Sequence, residues 1–212
     1  MAKSSYHIQL EHIIAQLRTQ GTRPTLLLHA CCAPCSSYVL EYLTNFFCIT
    51  IFYYNPNIHP QAEYERRLQE LRTFLMQFPP AVQHKLQLVE AQYNPQDYFT
   101  ATQVQSEPAL QTEAEKGERC RRCYALRMHK AAEYAAAHGY DYFTTTLSIS
   151  PHKDATKINT IGFDLEKKMT VCFLPADFKK NNGFKRSLEL SAEYNLYRQD
   201  YCGCIYSLQN RK

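Results

Sequence analysis

Nine cysteines in 212 residues, seven of them bunched, constrain this chain more than any other feature. Cys31, Cys32 and Cys35 form CCxxC, Cys120 and Cys123 form CxxC, and Cys202 and Cys204 form CxC. A disulfide framework spreads its cysteines along a chain. Thiols in tight groups suit metal ligation or redox chemistry in a reducing compartment. The start, MAKSSYHIQLEHIIAQ, has no apolar block of signal-peptide type, and no run approaches the ~20 apolar residues of a membrane span. The expected setting is therefore cytoplasmic, with no membrane partner. Cys48 and Cys172 stand alone in apolar runs and read as ordinary buried packing.

The intervals between the thiols alternate in character. Ser4 or Ser5 can cap a first helix carrying Ile8, Ile13, Ile14 and Leu17, which Gly21 and Pro24 end. TLLLHA over 25–30 is a short apolar run, as a buried parallel strand requires, and it runs straight into the first cysteines. A helix is expected over 36–47, a strand over 48–54 and a sharp break at Asn55-Pro56-Asn57. A helix over 61–78 follows with Tyr64, Leu68, Leu71 and Leu75 on one stripe. Residues 86–91 read as a third strand. Two helical stretches come next, the second with Cys120 and Cys123 at its start. Residues 142–147 read as a fourth strand, Ser150-Pro151 as a helix start and 171–174 as a last strand. This alternation predicts an α/β fold with a doubly wound, mostly parallel sheet. One domain over 1–212 is expected, with an N-terminal helix in 1–24 and a helical extension over 175–212 that brings Cys202 and Cys204 over a metal site.

In such sheets ligands bind beyond the carboxyl ends of the strands. The thiol groups at Cys31/Cys32, Cys120/Cys123 and Cys202/Cys204 can converge there. Four thiolates suit an iron–sulfur cluster or a zinc ion, and spacing alone does not separate the two. Seven exceed one site, which leaves three for a second metal or a redox-active pair. Cys32-Ala33-Pro34-Cys35 also has the form of a thioredoxin-type CxPC, although another cysteine precedes it and the chain has no tryptophan. Charge is uneven. Residues 1–106 balance at seven Lys/Arg and seven Asp/Glu, whereas 119–212 hold sixteen against nine. A basic half beside a thiol cluster suits a polyanion, nucleic acid first.

The segments LLLHACCAPCSSYVL, FYYNPNIHPQAEYERRLQEL, ERCRRCYALRM, DYFTTTLSISPHKD and FKKNNGFKRSLELSAEYNLYRQDYCGC give the chain a familiar look from about residue 25 to 206. In them it resembles the cobalamin-independent epoxyqueuosine reductases, the QueH family. The layout is also similar to the adenine-nucleotide α-hydrolase-like (HUP) sheet of ATP-dependent tRNA thiolases. Its first turn, however, reads HACCAPCS in place of a glycine-rich phosphate loop, so ATP is not expected. The resemblance implies reduction of the epoxide of epoxyqueuosine to the alkene of queuosine at the wobble position of tRNA, with a [4Fe–4S] cluster and no cobalamin. A reductant such as a ferredoxin or flavodoxin is implied as partner. Cluster ligands are expected at Cys31, Cys32, Cys120 and Cys123. Cys202 and Cys204 are then a redox disulfide or, with Cys35, ligands of a second, mononuclear iron. An iron–sulfur tRNA thiolase and a zinc-stabilised nucleic-acid binder are the alternatives. Substrate contacts are expected from Asn55, Asn57, Arg122, Arg127, His152, Lys179, Lys180, Arg186 and Arg198. His152, Asp200 and Tyr201 are the proton-donor candidates.

Overall fold

The computed structural model describes residues 5–209. Five strands form one sheet: β1 Thr25–His29, β2 Cys48–Tyr53, β3 Gln87–Glu90, β4 Tyr142–Thr145 and β5 Cys172–Phe173. Their order is β3-β2-β1-β4-β5 and every pairing is parallel. The expected α/β fold with a parallel, doubly wound sheet is therefore the observed one. The order reverses between β1 and β4, which opens a crevice at their carboxyl ends. Alternation along β1 divides the core between two faces. Leu26 and Leu28 pack with Val39, Leu40, Ile51 and Phe74 on one side, and Leu27 packs with Phe52, Met128 and Phe143 on the other.

Helices cover both faces. The first layer holds α1 Tyr6–Gln20, α2 Ala33–Leu43, α3 Gln61–Gln77 and α9 Gly183–Glu193, and the second holds α7 Glu118–Ala137 and α8 Ala155–Glu166. Ser5 caps α1 by accepting the Ile8 N–H, while Ser4 lies outside the described residues, as do Arg211 and Lys212 of the basic half. Tyr64, Leu68 and Leu71 are buried on α3 as their spacing predicts. Shorter helices are α4 Pro79–Gln83, α5 Pro95–Thr102, α6 Ala109–Thr112 and α10 Ile205–Gln209.

Several boundaries differ from expectation for local reasons. α2 begins at Ala33, since Pro34 fits a first helical turn, where its missing N–H costs nothing. The stretch expected to hold two helices holds α5, α6 and α7. β4 ends at Thr145, and residues Thr146–Ile149 wind into a 3₁₀ turn. Ser150-Pro151 opens a turn and not a helix; α8 starts at Ala155, where the Asp154 carboxylate accepts the Lys157 N–H at 3.0 Å. Cys48 and Cys172 are exposed at the amino ends of β2 and β5, so the expectation that they pack in the core fails.

Candidate metal and substrate site

The turn leaving β1 carries the first thiols into the crevice. His29, the last residue of β1, is fully buried and ties three strands together. Its Nδ1 lies 2.8 Å from the Thr145 hydroxyl and its Nε2 lies 3.1 Å from the Tyr54 carbonyl. A carbonyl only accepts, so Nε2 carries the proton. Burial, reinforced by Arg127, pushes the His29 pKa down to about 3, and the ring is neutral. Cys31, Cys32 and Cys35 follow, with sulfur atoms all within 4.8 Å of one another, a group that could hold a metal ion. Hydrogen bonds from Cys32 and Cys35 hold the Cys31 thiol well below its ordinary pKa. The contact with Cys31 pushes Cys32 up to about 11, and the contacts with Cys31 and Cys32 push Cys35 well above its ordinary range. Of the three, Cys31 is the one whose contacts favour the thiolate. Across the crevice, the Thr146 hydroxyl lies 3.6 Å from the Cys31 sulfur.

A second group forms at the start of α7. The Glu113 carboxylate folds over the helix end and accepts the N–H groups of Glu118 and Arg119 at 2.7 and 2.8 Å, a negative cap on a positive helix end. Arg119 is buried and spends its guanidinium on the carbonyls of Leu110, Gln111 and Glu113. Cys120 and Cys123, one turn apart, then face a small enclosed cavity that Cys202, Cys204, Asn57 and Tyr98 also line. Burial pushes the Cys120 and Cys123 thiols up to about 11 and about 12.

The Cys202-Gly203-Cys204 segment reaches this cavity because three elements hold it. The Arg67 guanidinium, paired to Glu63 at 2.7 Å, donates to the carbonyls of Cys202 and Tyr201 at 3.3 and 3.4 Å. The Tyr201 hydroxyl donates to the His59 carbonyl at 2.6 Å. Ser207 accepts the Cys202 N–H and donates to Glu115 at 2.7 Å.

Two further cations lie among the thiols. Arg127 is 1% exposed and donates to the Asn55 side-chain oxygen at 2.5 Å, while its Nε has no hydrogen-bond partner among the described residues. Lys153 is 8% exposed. Among the described residues neither has a carboxylate within ion-pair distance. Burial opposes both charges. Where ionised, Cys123, Cys31 and Cys202 outweigh it at Arg127, and Cys202, Cys31 and Cys35 outweigh it at Lys153, shifting both pKa values up.

An open cleft of about 930 Å3 leads to the thiols from outside. Cys35 and Cys202, the two half-buried members of the seven, line it with Lys153, Gln199, Phe184 and Arg198. The expected proton donors His152, Asp200 and Tyr201 line it too.

Of the expected substrate contacts, His152 and Arg198 are at the cleft. Asn55 and Asn57 are buried behind the thiols, Asn55 bonding the Ala30 carbonyl and Arg127. Arg127 is too deep to grip a surface phosphate. Arg122 is paired with Glu107 and Glu118, Arg186 with Glu41 and Glu189, and Lys179 with Asp177; Lys180 is exposed. Lys153, Gln199 and Thr146 had not been singled out from sequence. Lys153 had one signal: it sits in SPHKD, in the connection beyond the carboxyl end of β4.

The chain matches the family model described as "Epoxyqueuosine reductase QueH" over residues 26–210. The epoxyqueuosine reductase QueH of Streptococcus pyogenes serotype M1 is 43% identical over 97% of this chain and 78% of that protein. The one from Staphylococcus epidermidis is 42% identical over 97% and 85%, and that of Thermotoga maritima 32% over 89% and 92%. The span matched by the family model contains the seven bunched thiols and both buried cations. With identities this high across nearly the whole length, the chain belongs to the QueH family of epoxyqueuosine reductases.

Proposed function

We propose that this protein reduces the epoxide of epoxyqueuosine to the alkene of queuosine in tRNA, in the cytoplasm, using iron bound by its clustered thiols. The observation that carries this reading is the pair of buried cations, Arg127 and Lys153, which lack carboxylate partners and are surrounded by thiols. A buried charge needs a counter-charge. Thiolates, or an anionic cluster held by them, supply it.

The donor set fits a [4Fe–4S] group, which takes four thiolates. Cys31, Cys32, Cys120 and Cys123 are the four proposed ligands. All four are buried, and the first three share one packed cluster of side chains. Bound there, the group would pass electrons toward the substrate. Cys35 and Cys202 open onto the cleft, which suits Cys202 and Cys204 to a redox pair or, with Cys35, to a second, mononuclear iron.

What the chain itself does follows from the cleft. Arg198 and His152 stand at its outer wall, placed to meet the phosphates and base of a splayed anticodon nucleotide. The carbonyls of Tyr201 and Cys202 are pinned by Arg67, which fixes the wall nearest the thiols. A ferredoxin or flavodoxin is the proposed class of electron donor.

The test is anaerobic turnover of epoxyqueuosine-containing tRNA by the iron-loaded, reduced protein, with product nucleosides identified and iron, acid-labile sulfide and zinc counted. Alkene product with roughly four or more irons supports the reading. Colourless protein containing zinc and yielding no alkene sinks it.

A further inference from the structure

We propose that the Lys153 ammonium receives the epoxide oxygen as its bonds to carbon break. This inference rests on the reductase reading and names a catalytic residue within it.

The chemistry sets the requirement. Conversion of an epoxide to an alkene breaks two C–O bonds and makes one C=C bond. The oxygen leaves as water, taking two protons, and the carbon skeleton takes two electrons, supplied singly by a low-potential one-electron donor. Negative charge grows on the oxygen as the first C–O bond opens. A fixed cation or hydrogen-bond donor at that point lowers the barrier most where water is excluded.

The cleft supplies one such group. Lys153 lines it together with Cys35 and Cys202, the two thiols that reach the same space. Its position is held from both sides. The Lys153 N–H donates to the Ser150 carbonyl at 3.2 Å, and the neighbouring Asp154 is committed to capping α8. A buried lysine whose charge is not spent on a carboxylate is free to serve an oxygen that becomes negative during reaction. Four other donors at the wall are engaged elsewhere or exposed. The Tyr201 hydroxyl is given to the His59 carbonyl, and Gln199 Nε2 lies 3.1 Å from the Cys32 sulfur. Arg198 is exposed, bonded to the Ser191 hydroxyl, and His152 is exposed.

The alternative role is charge balance for the metal group alone, and the experiment separates the two. Iron-loaded Lys153→Met and Lys153→Arg are compared with wild type in single-turnover reduction. Iron, sulfide, melting temperature and affinity for tRNA bearing the alkene product are measured on the same samples. Loss of an oxyanion-type donor predicts a fall of about 10²–10³-fold in kcat for Lys153→Met. KM, product affinity and iron content stay near wild type. Lys153→Arg keeps the charge beside the thiols but alters the reach into the cleft, and falls at least about tenfold. A kcat for either variant within about threefold of wild type overturns the proposal, as does iron lost in step with activity. If Lys153→Met does not fold, Lys153→Arg alone decides. Failure of the wild-type protein to form alkene would instead sink the reductase reading, which keeps the two failures distinct.

Discussion

The backbone N–H of His59 donates to the carbonyl of Gly203 at 2.8 Å, so the loop after β2 and the C-terminal thiol segment hold each other. Gly203 has φ +122°, and a Cβ there would lie 3.0 Å from the Ile58 side chain and 3.2 Å from an Arg67 nitrogen. Both the backbone and the space demand glycine.

Gly203→Ala should therefore lose about 1–3 kcal/mol of stability. It should also speed alkylation of Cys202 and Cys204 by iodoacetamide in metal-free protein. Urea unfolding and mass spectrometry read the two effects, and a wild-type midpoint with wild-type labelling would contradict the clamp.

Arg67→Met strands the Glu63 carboxylate, which is otherwise met by Arg67 and the Tyr197 hydroxyl. Breaking a buried pair from one side costs about 3–5 kcal/mol. Arg67→Met with Glu63→Gln should recover part of that loss, while the thiol segment stays loose because its carbonyls remain unbound. Equal stability of the single and double variants would show that the carboxylate is not what suffers.

His29 makes stability fall in acid. Its pKa drops from 6.5 in the unfolded chain to about 3 in the fold, so between those values the unfolded state binds more protons. Stability is full above pH 6.5 and declines toward pH 3, by about 1.4 kcal/mol per unit from this group. His29→Gln should flatten the slope between pH 6 and 4 in urea titrations relative to wild type. An unchanged slope would show that other groups carry it.

Under the proposed ligand set, Cys120→Ala should lose iron and activity together. Cys204→Ala should lose activity and keep most iron if Cys202 and Cys204 act as a redox pair, whereas loss of a single iron would favour the mononuclear site. Metal analysis of anaerobically prepared protein distinguishes these. Retention of all iron by Cys120→Ala removes that residue from the ligand set.

What could be read in advance divides along physical lines. TLLLHA and CITIFYY announced their strands because parallel strands buried on both faces must be apolar throughout. The seven thiols were legible because their spacing is local. The roles of Arg119 and Arg127 were not. Both stand in a run of charge, yet both are buried: Arg119 on carbonyls of the loop and short helix just before α7, Arg127 on Asn55, far back in the chain. Lys153 was hidden for the same reason: its neighbours in space, Cys31 and Cys202, come from the other side of the crevice and from the C-terminal segment. The start of α8 was misplaced because Ser150-Pro151 has the form of a cap with proline in the first turn, but the Asp154 cap decides. Cys48 and Cys172 misled because an apolar run says nothing about the first residue of its strand, which lies at the exposed amino end of the sheet.

The turn between β1 and α2 has one more consequence. In sheets of this order that turn delivers nucleotide phosphate to the end of the following helix. Here sulfur occupies the place, with a thiolate favoured at Cys31. Such a turn answers to different chemistry in the cell. Oxidants and thiophilic ions such as mercury, cadmium or arsenite are what would silence it, whereas the supply of nucleotide would leave it untouched.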